Sequence, residues 1–178
     1  MKIMVASDIH GSAYYCQKMT EAYKNSGAQK LLLLGDILYH GPRNDLPKEY
    51  TPKKVIEMLN NISDEILCVR GNCDSEVDQM VLKFNIMAEY AIIYDGERMI
   101  FATHGYKFNK DNLPSLKKGD ILLHGHTHIP VNESIDGITV MNPGSVSIPK
   151  ENSWHGYMII ENGTYTWYDF DGNSHIIA

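Results

Sequence analysis

Four short polar islands, each set just after a run of apolar residues, constrain this chain more than any other feature. They are Asp8-Ile9-His10, Gly35-Asp36, Gly71-Asn72, and a late histidine group made of His104 and His124-Gly125-His126-Thr127-His128. The apolar runs read as buried strands. A polar group at the end of a buried strand is costly unless it is paired, hydrogen-bonded or bound to a metal. Two carboxylates, one amide and at least four imidazoles, spread over some 120 residues, can meet only if their strands end on the same edge of one sheet. Fold and chemistry are therefore predicted together.

The first half of the chain alternates strand and helix. Lys2–Ser7 reads as a buried first strand, Leu31–Leu34 as a second, and Ile66–Val69 as a third. Ser12 is placed to cap a helix that Gly27 stops, and Thr51-Pro52 opens another with Val55, Ile56 and Leu59 on its apolar face. Leu38–Tyr50, with two prolines and no period, reads as an ordered loop. Ser75 with Asp78 has the form of a capping box. The second half changes character. Asp95-Gly96, Asp136-Gly137 and Asn162-Gly163 each separate two β-prone runs and signal hairpins. Asp120–Leu123 is a further short buried strand that delivers the histidine cluster. This order predicts an α/β sandwich of two packed sheets with helices outside, rather than an open doubly wound sheet.

Length and composition set limits on function. The chain has 178 residues, enough for one domain with a full core, and residues 1–178 are read as that single domain. A formal net charge of −6 and no basic run argue against a duplex nucleic-acid binder, whose affinity rests on Lys and Arg. No stretch is long and apolar enough for a membrane span. The three cysteines, Cys16, Cys68 and Cys73, are odd in number and lack metal-knuckle spacing, so a reducing cytoplasm is expected.

Each island has a plain structural reading beside the metal-binding one. Asp8 and His10 alternate by two, so both side chains can point the same way, yet such pairs also cap helices. Asp36 ends a buried strand with no obvious helix to cap, and its two oxygens suit it to bridge two ions. Asn72 alone reads as a turn asparagine, and its position after the third strand is what recommends it. His104 is one strand-end imidazole. Three histidines within five residues, however, do not fit core packing or a solvated face. Mixed carboxylate and imidazole donors favour Mn²⁺, Fe, Zn²⁺ or Ni²⁺ over Mg²⁺. Two such ions would hold a hydroxide as nucleophile and clamp a phosphate for in-line attack.

Taken in order, Asp8-x-His10, Gly35-Asp36, Gly71-Asn72, His104 and Gly125-His126-x-His128 resemble the signature of the calcineurin-like metallophosphoesterases. Gly71-Asn72-Cys73-Asp74, His40-Gly41-Pro42-Arg43-Asn44, His124 to Pro130 and Asn142-Pro143-Gly144-Ser145 are similar to small bacterial phosphodiesterases within that family. The resemblance implies a four-layer α/β/β/α sandwich and a binuclear centre, with Mn²⁺ as the expected metal. It implies one ion held by Asp8, His10, Asp36 and His128. The other would be held by Asp36, Asn72, His104 and His126, with Asp36 shared. Asp36, Asn72 and His104 are expected to be catalytic as well as ligating, with His124 and Asp74 standing behind the ligands.

Many relatives carry histidine after the asparagine, and that histidine is thought to protonate the leaving group. Cys73 stands there instead. A thiol is a poor substitute for imidazole in that role. The expected activity is therefore hydrolysis of small phosphodiesters or activated aryl esters, ahead of monoesters. Cys73 is otherwise a spacer. Arg43 and His40 could meet the substrate phosphate, or belong to a surface loop where copies of the chain associate. The rival function is a non-catalytic scaffold of the same fold, like the retromer subunit. Missing ligands would favour it, and here every ligand position is filled.

Overall fold

The computed structural model describes residues 1–177, which form two mixed sheets with helices against one of them. Strand β1 (Lys2–Ala6) is followed by helix α1 (Ala13–Ser26), strand β2 (Lys30–Leu33) and helix α2 (Pro52–Asn60). Strand β3 (Ile66–Cys68) and the one-turn helix α3 (Glu76–Gln79) complete the first half. The helix starts follow from the residues that precede them. Ser12 Oγ accepts the Tyr15 N–H at 3.3 Å, and Ser75 with Asp78 makes both bonds of a capping box. Thr51 occupies the cap of α2 without a side-chain bond, so Pro52 in the first turn does the pre-organising. Gly27 ends α1 in the left-handed conformation at φ 70°.

Strands β4 (Tyr90–Asp95), β5 (Arg98–Thr103), β6 (Ile121–Leu123), β7 (Pro130–Ile135) and β8 (Ile138–Pro143) form the second sheet. Strands β9 (Gly156–Glu161), β10 (Thr164–Asp169) and β11 (Ser174–His175) return to the first. The sheet orders are β11-β10-β9-β1-β2-β3 and β4-β5-β6-β8-β7. All three expected hairpins form, with one shift of register. Asp95 pairs with Arg98, so the first turn is Gly96-Glu97 and not Asp95-Gly96. Gly96, at φ 64°, takes the first turn position, where a positive φ is required.

The second sheet is less of a meander than hairpin signals alone imply. Its centre is a parallel trio, β5-β6-β8, matched by the parallel trio β1-β2-β3 in the first sheet. Hairpin dipeptides mark only neighbours in sequence, whereas the parallel pairings join strands many residues apart. The two trios bring the strand ends that carry the islands to one edge of the sandwich.

Alternation along the strands decides which layer each residue joins. Met4, Ala6, Leu31 and Leu33 face α1 and α2, meeting Met19, Tyr23, Val55 and Leu59. Ile3, Val5, Leu32 and Leu34, with Trp167 of their own sheet, face the other sheet and meet Ile100, Ala102, Ile121 and Leu123. The far face of the second sheet (Phe101, Leu122, Ile138, Val140) is covered by Phe108, Leu113 and Leu116. These belong to irregular chain between β5 and β6, so the fourth layer contains a loop where a helix was expected. Pro114 and Gly119 interrupt that segment and deny it a helical run.

Candidate metal centre

The residues that end the strands do not continue the pleat. Asp8 (φ 59°), His10 (φ 49°), Asp36 (φ 56°), His126 (φ 67°) and His128 (φ 63°) all occupy the left-handed region. Non-glycine residues go there at a cost, and such residues cluster at functional sites. Spacing by two was expected to aim Asp8 with His10 by strand alternation. The strands end before these residues, and successive left-handed turns do the aiming instead.

Three imidazoles are fixed by main-chain carbonyls. His10 Nδ1 lies 2.7 Å from the Tyr39 carbonyl, His104 Nδ1 2.6 Å from Leu34, and His128 Nδ1 2.7 Å from Ile148. Each Nδ1–H donates outward, which turns the Nε2 lone pair inward, the arrangement that second-shell bonds impose on metal-binding histidines. Those Nε2 atoms converge. Asp8 Oδ1 lies 3.6 Å from His10 Nε2 and 3.3 Å from His128 Nε2. Asp36 Oδ2 lies 3.6 Å from His10 Nε2 and 3.4 Å from His104 Nε2. His126 Nδ1 approaches His104 Nε2 at 3.2 Å, and Asn72 Oδ1 approaches the same nitrogen at 3.0 Å.

Asp8 Oδ1 is buried with no hydrogen-bond partner, among imidazole nitrogens that have already used their donors. A divalent cation would satisfy this set. Donor atoms fall into overlapping groups: Asp8, His10 and His128; His10, Asp36 and Cys73; Asp36, His104 and His126. Asp36 links the two sides. The residues present fit divalent ions of the kind that accept mixed oxygen and nitrogen donors.

Backbone crossings hold the loops in place. Asp74 is buried, and its carboxylate accepts the N–H groups of Asp36 (2.8 Å), Ile37 (2.9 Å) and Gly71 (2.7 Å). Gly71 lies so close to Asp36 that a Cβ there would overlap the carboxylate. Ser145 Oγ and Ser147 Oγ both donate to the Asp8 carbonyl, at 2.9 and 3.1 Å. Asn142 Nδ2 donates to the Gly125 carbonyl (2.8 Å) and to Thr127 Oγ1 (3.0 Å), and the Asn142 carbonyl accepts Trp167 Nε1. The Asn142–Ser145 segment thus braces two ligand loops. Its turn chemistry was visible in the sequence, but the bracing was not.

A cleft of about 440 Å³ opens in front of this cluster, lined in part by Asp36, Asn72, Cys73, Arg43, His126 and Lys150. His40 is not on it. Its ring packs edge-on against Tyr39 and Tyr50, although the neighbouring Arg43 does reach the cleft. His124 lies behind the loop with Nδ1 2.9 Å from the Gly125 carbonyl, apart from the convergent donors. Lys150 was missed. An isolated lysine after a proline carries no sequence signal of its own.

The electrostatics of the metal-free cluster are those of carboxylates shared among imidazoles. Burial alone would raise the Asp8 carboxyl, yet contacts with His10 and His128 and the charge of His104 hold it well below the usual range. Burial opposes charge on His104 too. The contact with Asp36 and the charges of Asp8 and Asp36 outweigh it, lifting the group from 6.5 to about 9. For His126, burial and the nearby His104 charge act together and lower it.

A raised histidine pKa stabilises the metal-free fold fully below pH 6.5 and loses that contribution as pH rises through about 9. A divalent ion at His104 would need the neutral imidazole, so affinity for such an ion should climb across the same window, by at most about tenfold per pH unit for this group. Calorimetric titration in buffers of different ionisation enthalpy checks this. Release of about one proton per chain from this group at pH 7 is expected, and pH-independent binding would contradict it.

Fold and site together define a metallophosphoesterase. A family model described as the calcineurin-like phosphoesterase superfamily domain matches residues 1–164, and the chain belongs to that family. Among curated relatives, phosphodiesterase YfcE of Escherichia coli (strain K12) is 49% identical over 162 residues, 91% of this chain and 88% of that protein. The solved structure of YfcE, described as a phosphoesterase from E. coli, aligns with a TM-score of 0.95 and 46% identity, covering 98% of this chain and 96% of that one. Vps29 of Entamoeba histolytica, solved in complex with zinc, aligns with a TM-score of 0.59 and 20% identity, over 93% of this chain and 89% of that one. At that distance the likeness speaks to the fold alone.

Proposed function

We propose that the chain is a phosphodiesterase that works with two divalent metal ions, Mn²⁺ first among them. Asp8, His10, Asp36 and His128 would hold one ion, and Asp36, Asn72, His104 and His126 the other. The observation that carries this reading is the outward commitment of three Nδ1 atoms, which turns the Nε2 atoms toward Asp36 and toward Asp8 Oδ1, a buried oxygen without a hydrogen-bond partner. When bound, such ions supply Lewis-acid polarisation of the phosphoryl group and lower the pKa of attacking water. A small phosphodiester fits the cleft, which Arg43 also lines.

The protein's own residues then shape the choice of substrate. Cys73 stands where an imidazole would protonate a leaving group. Burial and the charge of Asp36 push its thiol up, so it holds its proton tightly and donates poorly. Asn72 Nδ2 points at Cys73 Sγ at 3.3 Å and its Oδ1 at His104, which fixes the amide between the two. Leaving groups that depart without a proton are favoured, such as aryl oxides. Association of copies at the 38–50 loop belongs to the same proposal, since Tyr39 and Leu46 are exposed there. So does a cytoplasmic setting, on the strength of three free cysteines. Among the described residues no helix is long and apolar enough to cross a membrane.

Protein stripped by chelator should lose hydrolysis of bis(4-nitrophenyl) phosphate and regain it with Mn²⁺; full activity in excess chelator would sink the proposal. Cys73→His should raise 4-nitrophenyl phosphate hydrolysis by about tenfold or more, within the usual reach of general acid catalysis, and diester hydrolysis by less. Equal effects on both substrates would remove Cys73 from the account of specificity.

A further inference from the structure

The cleft has two banks, and each ends in a cation. We infer that Arg43 and Lys150 form a second anion subsite, which takes a terminal phosphate carried by the phosphodiester substrate away from the bond that is cleaved. The inference rests on the phosphodiesterase reading and narrows its substrate class.

Both cations are presented by built turns. On one bank, Gly41 (φ 78°) opens a turn closed by the Asn44 N–H on the Gly41 carbonyl at 3.3 Å. Pro42 takes the second position and Arg43 the third. Asn44 Nδ2 adds a bond to the His40 carbonyl at 2.9 Å. On the other bank, the Lys150 N–H donates to the His128 carbonyl at 3.1 Å, while Ser153 N and Oγ both donate to the Lys150 carbonyl. The next two residues, Glu151 (φ 53°) and Asn152 (φ 57°), are both left-handed. With the Ser153 N–H on the Lys150 carbonyl, the two positive φ values make a tight turn of the primed type. This turn and the bond to the His128 carbonyl tie the Lys150 backbone to a candidate metal ligand.

Neither cation is spent elsewhere. Among the described residues, Arg43 and Lys150 form no ion pair; what sets them apart from the other unpaired cations is that they line the cleft. Among the described residues, Asp36 is the only carboxylate lining the cleft, and it belongs to the candidate metal-binding cluster. In a chain of net charge −6, two unpaired cations lining one cleft give it a local positive field that favours an anion. The scissile phosphate of a diester carries a single charge and lies over the cluster at the cleft floor. Two more cations, carried on separate loops that line the same cleft, match a further, doubly charged group. A terminal phosphate suits them best, because the arginine fork binds two phosphate oxygens and the lysine ammonium adds a point charge.

The test uses two substrates with the same aryl leaving group: thymidine 5′-(4-nitrophenyl phosphate), and the same ester with a phosphate on its 3′-oxygen. With Mn²⁺-loaded protein, kcat/KM should be at least about tenfold higher for the phosphorylated ester, as expected for one charge-assisted contact. Lys150→Gln and Arg43→Gln should each bring that ratio to about twofold or less, and raised salt should shrink it in the wild type. Calorimetric binding of thymidine 3′,5′-bisphosphate, with no turnover involved, should weaken in the same two variants. Equal rates on both esters would overturn the subsite and leave the phosphodiesterase reading intact, whereas hydrolysis of neither would overturn that reading itself. A preference that survives both substitutions would assign the second phosphate to other residues.

Discussion

Asp36→Asn should lower kcat/KM for an aryl phosphodiester by on the order of a thousandfold, comparable to losing a key electrostatic contact in an active site. The reason lies in how the two carboxylate oxygens are used. Oδ1 accepts the Cys73 N–H at 2.8 Å, and Oδ2 faces the Nε2 atoms of His10 and His104. An amide can satisfy only one side. With its oxygen on the Cys73 N–H, its NH₂ points into the cluster, where a cation would sit. Flipped, it sets a donor against a donor. Metal content should fall below two ions per chain while the thermal transition of the metal-free protein changes little. Wild-type turnover in Asp36→Asn would remove this residue from the bridging position.

Asp74→Ala should be the most damaging single change outside the cluster. It would leave three buried N–H groups, on Asp36, Ile37 and Gly71, without acceptors. Each unmet buried donor costs about 1–3 kcal/mol, and water entering the vacated space recovers part of that, so a net loss of ~3–5 kcal/mol is expected. For a domain of this size that corresponds to a fall in Tm of about 10 °C. Metal affinity should fall by about 10–100-fold, as when other outer-shell partners are lost. Asp74→Asn, which keeps one carbonyl oxygen, should lie between the two. If Asp74→Ala melted and bound metal like the wild type, the three bonds would not be what holds the loop.

Asp74 also marks how far the sequence could be read. Its capping-box neighbours, the three strands, the loop after Asp36 and every candidate ligand were legible, because each leaves a local mark in period, turn residue or donor type. The pairing of β6 with β5 and β8 was not, since a parallel contact has no turn to announce it. The covering of the second sheet was misread for a related reason: three apolar side chains on an irregular segment do the work expected of a helix. The left-handed backbone at Asp8, His10, Asp36, His126 and His128 was equally hidden. Aspartate and histidine tolerate that region better than most residues but do not demand it. Lys150 had no local mark at all, because its role depends on a hydrogen bond to a histidine that another strand delivers.

The contact between Gly71 and Asp36 has a further consequence. Gly71 has no positive φ to accommodate, so glycine is needed there only for space. The third loop can close only onto a second loop that is already folded, and the second gains its Asp74 acceptor only when the third arrives. Each crossing is a precondition of the other, so the loops should order in a single cooperative step. Hydrogen exchange at the amides of Asp36, Ile37 and Gly71 should then report one shared opening event, with a common rate.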